Sequence, residues 1–415
     1  MCSIIPRYLL FFIYGIANLY AIVYALCNKS LLGGISNELI TNNFEVLFVG
    51  LTLVATFFVF QFILFPFFDK VKVSFRLSKR IFYDLSVQKI VGIFLLVAQF
   101  IYLFFAIIFG VGVAGATVES RIPFVEIWIF IQIDFLFLIY YGFFRESKLF
   151  YINFFVFLVS NVLRGWTSVF LIAAFLELCR LWRSGKIKKK YVLLFLCIGI
   201  LVYPLILFLK FYVRSAGSGR EFLDIGSAIG VIFGVEDFLG LFVFAVNQLA
   251  ERFQQFSITY GIYHFREVLG LQYASGDIVQ FWLEGFHGNA LYRLFGNPLP
   301  PNLGVAATNV IPYSFQFIEG SFNVSPSLLG WIFVLSPNYL GFLVYIIFLS
   351  FFSIIIPKII NAPPLVGDLV WLMWLLLLLH GWLQSFVAFI YAFFVFILIC
   401  STSWIFKNLL KSFSQ

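Results

Sequence analysis

The stretch Arg180–Lys190, RLWRSGKIKKK, has the apolar runs Leu149–Trp182 and Tyr191–Val213 on its two sides. Its reading decides the fold. A strongly basic segment between apolar runs long enough to span a bilayer (about 20 residues) is a loop held on the cytoplasmic side. The same alternation runs outward in both directions. Of the 415 residues, 62% are hydrophobic and 11% charged, against the roughly 25% charge of a soluble domain. The alternating pattern of a membrane β-barrel is absent. The fold class is therefore all-α, a polytopic integral membrane protein with about ten transmembrane helices and one large outer loop.

Upstream of the basic loop the expected spans are Tyr8–Cys27, Phe44–Phe68, Ile90–Ala114, Pro123–Phe144 and two short ones within Leu149–Trp182, which breaks at Arg164-Gly165. Tyr191–Val213 is the seventh. Downstream lie Pro337–Ile356, Gly367–His380 and Ser385–Phe406. The run after Arg7 lacks a small-residue cleavage site and reads as a retained span rather than a signal peptide. With this topology the cytoplasmic segments hold 18 of the 27 Lys and Arg and the outer segments 8, which places both termini in the cytoplasm. Three regions follow: an N-terminal bundle (1–213), a large outer loop (214–336) and C-terminal helices (337–415). The net charge of +8 is spent on topology, so no nucleic-acid partner is expected.

Arg214–Ser325 is the long polar segment. It holds five of the thirteen Arg and two of the three His but no Lys and no Cys, so no disulfide framework is expected there. Within it, Phe222–Ala245 is apolar but carries Asp224, Glu236 and Asp237. Unpaired carboxylates are costly in lipid, so a re-entrant or interfacial segment fits better than a span. Phe242, Val246, Leu249, Phe253 and Phe256 recur at helical spacing, opposite Asn247, Gln248, Glu251, Arg252 and Gln255, which predicts an amphipathic helix. Two copies of S-P-x-x-L-G, at Ser325 and Ser336, predict helix starts with Ser as N-cap and Pro in the first turn.

The outer cations are seven Arg to one Lys. Positive-inside statistics leave that ratio unexplained. The planar guanidinium grips phosphate oxygens in pairs and stays charged, so the set suits a diphosphate; ordinary pairing with a neighbouring Glu or Asp is the alternative for any one of them. His264 and His287 are the candidate general bases, with Arg266 close to the first. His380 points either into the same vestibule or lies at the interface beside Trp382. Asp134, beside Gln132, is the deepest carboxylate, a functional candidate or a partner of Lys210 or Arg164. No metal-binding spacing, phosphate loop or nucleophile elbow occurs. No metal or cofactor is expected.

This layout resembles the Wzy-type O-antigen polymerases and the related O-antigen ligases. Asn161-Val-Leu-Arg164-Gly165, ahead of the apolar Trp166–Phe175, is similar to the Ser-Arg-Gly element those families carry before their large loop. His287-Gly-Asn289-Ala-Leu291 is similar to the ligases' His-Asn-x-x-Leu element, with an inserted Gly. The resemblance implies metal-independent glycosyl transfer at the periplasmic face of the bacterial inner membrane. A glycan leaves undecaprenyl diphosphate and joins a sugar hydroxyl on a second lipid-linked repeat unit. It implies membrane lipid and a chain-length regulator protein as partners. On that reading Arg164, Arg214, Arg220, Arg252 and Arg266 hold the diphosphate and His264 or His287 is the base. Asp224, Glu236 and Asp134 stand in reserve as acid/base groups. A flippase or exporter of lipid-linked oligosaccharide, and a lipid-to-sugar ligase, are the rivals.

Overall fold

In lipid every backbone N–H and C=O must be satisfied within its own segment, and the apolar runs accordingly fold as helices. A computed structural model describes residues 5–35, 39–40, 42–109, 131–187, 191–192, 199, 201–206, 208, 238–296, 298–313 and 323–413. Five helices are long and apolar enough to cross a membrane: α1 (Ile5–Asn28), α2 (Asn43–Lys70), α4 (Leu85–Phe109), α14 (Leu340–Ile359) and α16 (Leu383–Phe413). Shorter apolar helices accompany them, α5 (Ile133–Phe144), α6 (Phe150–Leu163) and α15 (Pro364–Leu378), together with α3 (Lys79–Tyr83) and α7 (Ser168–Arg183). The chain is an all-α, membrane-embedded protein. Of the expected seventh span, Tyr191–Val213, residues 191–192, 199, 201–206 and 208 are described, all of them helical, and the rest lie outside the described residues.

α4 shows how the bundle is built. Val87, Val91, Leu95 and Ala98 form a buried stripe at helical spacing, while Ile93, Phe100, Phe104 and Ile107 face outward. That is a helix with protein on one side and lipid on the other. It packs against α5, α6 and α16. Gly92 allows the close approach of α6: a Cβ there would lie 2.9 Å from the Tyr140 hydroxyl and 3.1 Å from Leu149. The space admits Asn153, whose Nδ2 donates to the Gly92 carbonyl at 3.0 Å.

At one end the helices are tied by ion pairs. Asp368, fully buried in α15, receives Arg7 of α1 at 2.6 Å and Arg183 of α7 at 2.8 Å. Glu177 of α7 takes Arg145 at 2.6 Å and Arg180 at 2.7 Å. Lys407 of α16 pairs with Asp84. This basic end gathers the loops that the sequence assigns to one side.

The turn at Arg164-Gly165 breaks the sixth and seventh helices where the sequence does, with Gly165 at φ +75°. The two S-P-x-x-L-G copies fold otherwise than predicted. Helix α13 (Leu328–Val334) is capped by Ser327, whose Oγ accepts from the Gly330 N–H, not by Ser325. After the second copy α14 begins only at Leu340, with Tyr339 in the capping position and no side-chain cap bond. In the first copy Ser325 donates to the His380 carbonyl instead, so the serine two residues on takes the cap.

Candidate functional site

The polar segment is built of short helices at the end opposite the ion pairs: α8 (Phe238–Phe253), α9 (Phe256–His264), α10 (Arg266–Ser275), α11 (Phe286–Leu294) and α12 (Leu303–Val310). The amphipathic helix predicted around Phe242–Gln255 is α8, which packs on α1. It ends deep. Phe253 meets Tyr14 edge-on with ring centres 4.9 Å apart, and Asn18 accepts from the Gln255 N–H at 2.9 Å. Tyr14 and Asn18 lie in the middle third of α1. The chain then turns back along α2, where Tyr263 meets Phe48 near the Asn43 end of that helix. Thus α8 and α9 form a hairpin that enters the bundle beside mid-α1 and leaves again.

A buried polar knot holds the tip of the hairpin. The Thr259 hydroxyl donates to the Gln255 carbonyl at 2.7 Å, and 2.8 Å away lies Ser327 Oγ. Since the one Thr259 proton is given to the Gln255 carbonyl, the Ser327 hydroxyl donates to Thr259 and accepts from the Gly330 N–H. The His380 carbonyl takes both the Ser327 N–H at 2.9 Å and the Ser325 hydroxyl at 2.6 Å. Ser327 holds φ +59°, an uncommon conformation for a residue with a Cβ. Only glycine fits opposite, because a Cβ on Gly381 would come within 2.7 Å of the Ser327 carbonyl oxygen. His380 itself is buried against Tyr14, with centres 5.5 Å apart. It neither lines an open vestibule nor sits at the interface.

The sequence-derived site residues separate into groups. His264 ends α9, exposed. Arg266 starts α10, lies 4.3 Å over the Tyr263 ring and donates to the Tyr263 carbonyl at 2.8 Å. Arg252, in the last turn of α8, meets the Tyr203 hydroxyl. Neither arginine has a carboxylate at ion-pair distance among the described residues, although Glu251 and Glu267 are their sequence neighbours. His287 is half-buried in α11, and its Nε2 lies 2.6 Å from the Trp282 carbonyl. A carbonyl only accepts, so Nε2 carries a proton, and Nδ1 is the acceptor of the neutral ring. No hydrogen bond or ion pair among the described residues joins His287 to the His264–Arg266 elbow. Arg214, Arg220, Asp224 and Glu236 lie outside the described residues, and so does Lys210.

Arg164 and Asp134 are brought together. The guanidinium, 3% exposed, binds the carboxylate with both terminal nitrogens at 2.9 and 2.7 Å. It also meets the Tyr102 hydroxyl at 3.3 Å and the Ser160 carbonyl at 3.2 Å. The fork expected to grip a phosphate is occupied by Asp134, and Asn161 reinforces the pair at 3.3 Å. Of the sequence alternatives for Asp134, Arg164 is its partner.

Glu284 is the residue that sequence reasoning missed. It lies between Leu283 and α11, only 5% exposed. Burial pushes its pKa up to about 8, against the opposing pull of the Leu303 and Gln384 backbone N–H groups. Those N–H groups belong to the first turns of α12 and α16, so one carboxyl joins two helix starts. The signal was present in the sequence: a lone acid set in Phe-Trp-Leu-Glu-Gly-Phe. Among the described residues no three His, Cys, Asp or Glu side chains are grouped to hold a metal ion.

Comparisons with protein-family models, with curated proteins and with solved structures gave no match for this chain.

Proposed function

We propose that the chain is a lipid-diphosphate-dependent glycosyltransferase of the inner membrane, polymerising undecaprenyl-diphosphate-linked repeat units at the periplasmic face. Its helical cap is the reacting face. The observation that supports this best is Arg266 and Arg252 standing on the cap with no carboxylate at ion-pair distance among the described residues, whereas the arginines seated between helices at the basic end are paired. Guanidinium groups kept from neighbouring acids are available to phosphate oxygens. A cap that dips into the bundle beside mid-α1 also gives a polar surface that a membrane-held carrier can reach.

In the proposed reaction the acceptor hydroxyl oxygen attacks the anomeric carbon of the donor glycan. The bond from that carbon to the diphosphate oxygen breaks, and its electron pair stays on the leaving diphosphate. Arg266 and Arg252 stabilise the charge as it develops. The hydroxyl proton passes to the bare Nδ1 of His287, with His264 as the alternative base. Holding both lipid-linked substrates at one membrane face supplies proximity.

Purified protein in liposomes, given undecaprenyl-diphosphate repeat units and no other enzyme, should make a ladder of products and release undecaprenyl diphosphate. Movement of the substrate between leaflets without a ladder would overturn the polymerase reading in favour of a flippase. Activity only when a lipid A-core acceptor is added would favour the ligase.

A further inference from the structure

A cavity of about 330 Å³ opens at the basic end, between the last turn of α2, the segment 71–78 and the α14–α15 turn. This is the low end of the range for ligand pockets, roughly 300–1,000 Å³. Three cations line it, Arg76, Lys79 and Lys358, against one carboxylate, Asp69. The walls are fixed. Lys358 Nζ donates to the carbonyls of Phe68, Asp69 and Val71 at 3.1, 2.5 and 3.0 Å, which fastens the end of α2 to α14. The Leu77 N–H donates to the Ile359 carbonyl at 2.8 Å, and Asn361 Nδ2 donates to the Leu77 carbonyl at 3.0 Å. The Tyr83 hydroxyl completes the clamp at the Asn361 carbonyl, 2.8 Å away. Segment 71–78 is thereby held across the end of α14, and its side chains are presented in place.

Arg76 and Lys79 stand exposed at the opening. Arg76 makes a long bond of 3.4 Å to Asn361 Oδ1, and neither residue has a carboxylate at ion-pair distance among the described residues. Unlike Lys358, they are not consumed by the fold. Phe67 and Phe75, in the same turn and segment, are 62% and 67% exposed, so apolar surface adjoins the cations where the chain leaves the apolar part of α2. We propose that this cavity binds the phosphodiester headgroup of an anionic phospholipid from the leaflet at the basic end. Arg76 and Lys79 grip the phosphate and the acyl chains lie along Phe67 and Phe75. A soluble phosphate compound shares the headgroup's charge but has no use for the exposed phenylalanines. The proposal is independent of the glycosyltransferase reading, because it concerns the opposite end of the bundle.

The test is lipid retention. Full-length protein, extracted in a mild detergent and offered phosphatidylglycerol and phosphatidylcholine in equal amounts, is examined by native mass spectrometry with and without inorganic phosphate. Phosphatidylglycerol should be retained over phosphatidylcholine. R76Q/K79Q should lower its affinity about 25-fold, about fivefold for each cation lost near the membrane surface. K70Q/K72Q removes two charges from the same region that do not line the cavity, and should have a much smaller effect. D69N removes the one opposing charge and should strengthen retention. Equal retention of the two lipids would overturn the proposal. So would equal losses in the two double variants, since attraction to the surface as a whole would then suffice. Phosphate binding without lipid retention would reassign the cavity to a soluble anion.

Discussion

The two ends of this molecule treat their charges in opposite ways. At the basic end, helix joins helix through carboxylates shared between arginines: Asp368 by Arg7 and Arg183, Glu177 by Arg145 and Arg180. At the capped end the joints are neutral, made by Asn18, Gln255, Thr259, Ser325, Ser327 and the His380 carbonyl. Among the described residues, neither Arg266 nor Arg252 there has a carboxylate at ion-pair distance. Arg164 is the exception, since Asp134 takes both ends of its fork. The basic end uses its buried arginines to join helices, whereas Arg252 and Arg266 of the cap contact only tyrosines and backbone among the described residues. Removing one partner of a buried pair leaves an uncompensated charge, whereas an exposed cation costs the fold little. Mutation therefore separates the two ends cleanly.

The largest effect is expected at Asp368. The double variant R7A/R183A strips a fully buried carboxylate of both cations and should lower stability by about 3–5 kcal/mol, read as loss of monodisperse protein on heating in detergent. A loss below about 1 kcal/mol would mean that the basic end is not held by its ion pairs. R164A should cost clearly less, because the Asp134 carboxylate it leaves unpaired is 36% exposed and water can take up its charge. Little loss of stability together with complete loss of product would move Arg164 into the reacting site. Next comes R266A, expected to cut the polymerisation rate about 10²–10³-fold, the range for removing one donor to a developing anion, with thermal stability unchanged. R266K should recover little, since an ammonium lacks the planar fork.

S327A should cost about 1–3 kcal/mol, because it unpairs the Gly330 N–H and removes the donor to buried Thr259. The resulting change should be confined to the α8–α9 hairpin and visible as faster amide exchange there. The pH dependence of stability should follow Glu284. Its folded pKa is about 8, against an ordinary value of 4.5. The folded state therefore binds the proton more tightly than the unfolded state, and stability falls as pH rises between these values, by about 1.4 kcal/mol per unit. Above pH 8 the full penalty is present. E284Q should flatten that slope, and an unchanged slope would assign it to other groups.

Much of the bundle was legible in the sequence because hydropathy and charge placement are properties of single segments. The break at Arg164-Gly165 and the helix around Phe242–Gln255 both follow from local pattern. What local pattern leaves out is pairing across the bundle. Asp368 drew no attention in the sequence, because its partners Arg7 and Arg183 lie 361 and 185 residues away. Ser327 displaced Ser325 as a helix cap because the His380 carbonyl, 55 residues downstream, claims the Ser325 hydroxyl. Glu284 looked like one more loop acid until the helix starts at Leu303 and Gln384 closed over it. The Arg excess on the outer side was legible, but which arginines are spoken for depended on the three-dimensional neighbours of each.

The central claim is that the cap arginines serve a diphosphate and not the fold. Binding of undecaprenyl diphosphate to wild-type protein and to R252Q/R266Q, with the melting temperature recorded on the same samples, tests it most directly. The account predicts that affinity falls at least about tenfold, some 1.4 kcal/mol, while the melting temperature stays where it was. Unchanged affinity with a lowered melting temperature would show that these arginines hold the cap together, and would contradict it.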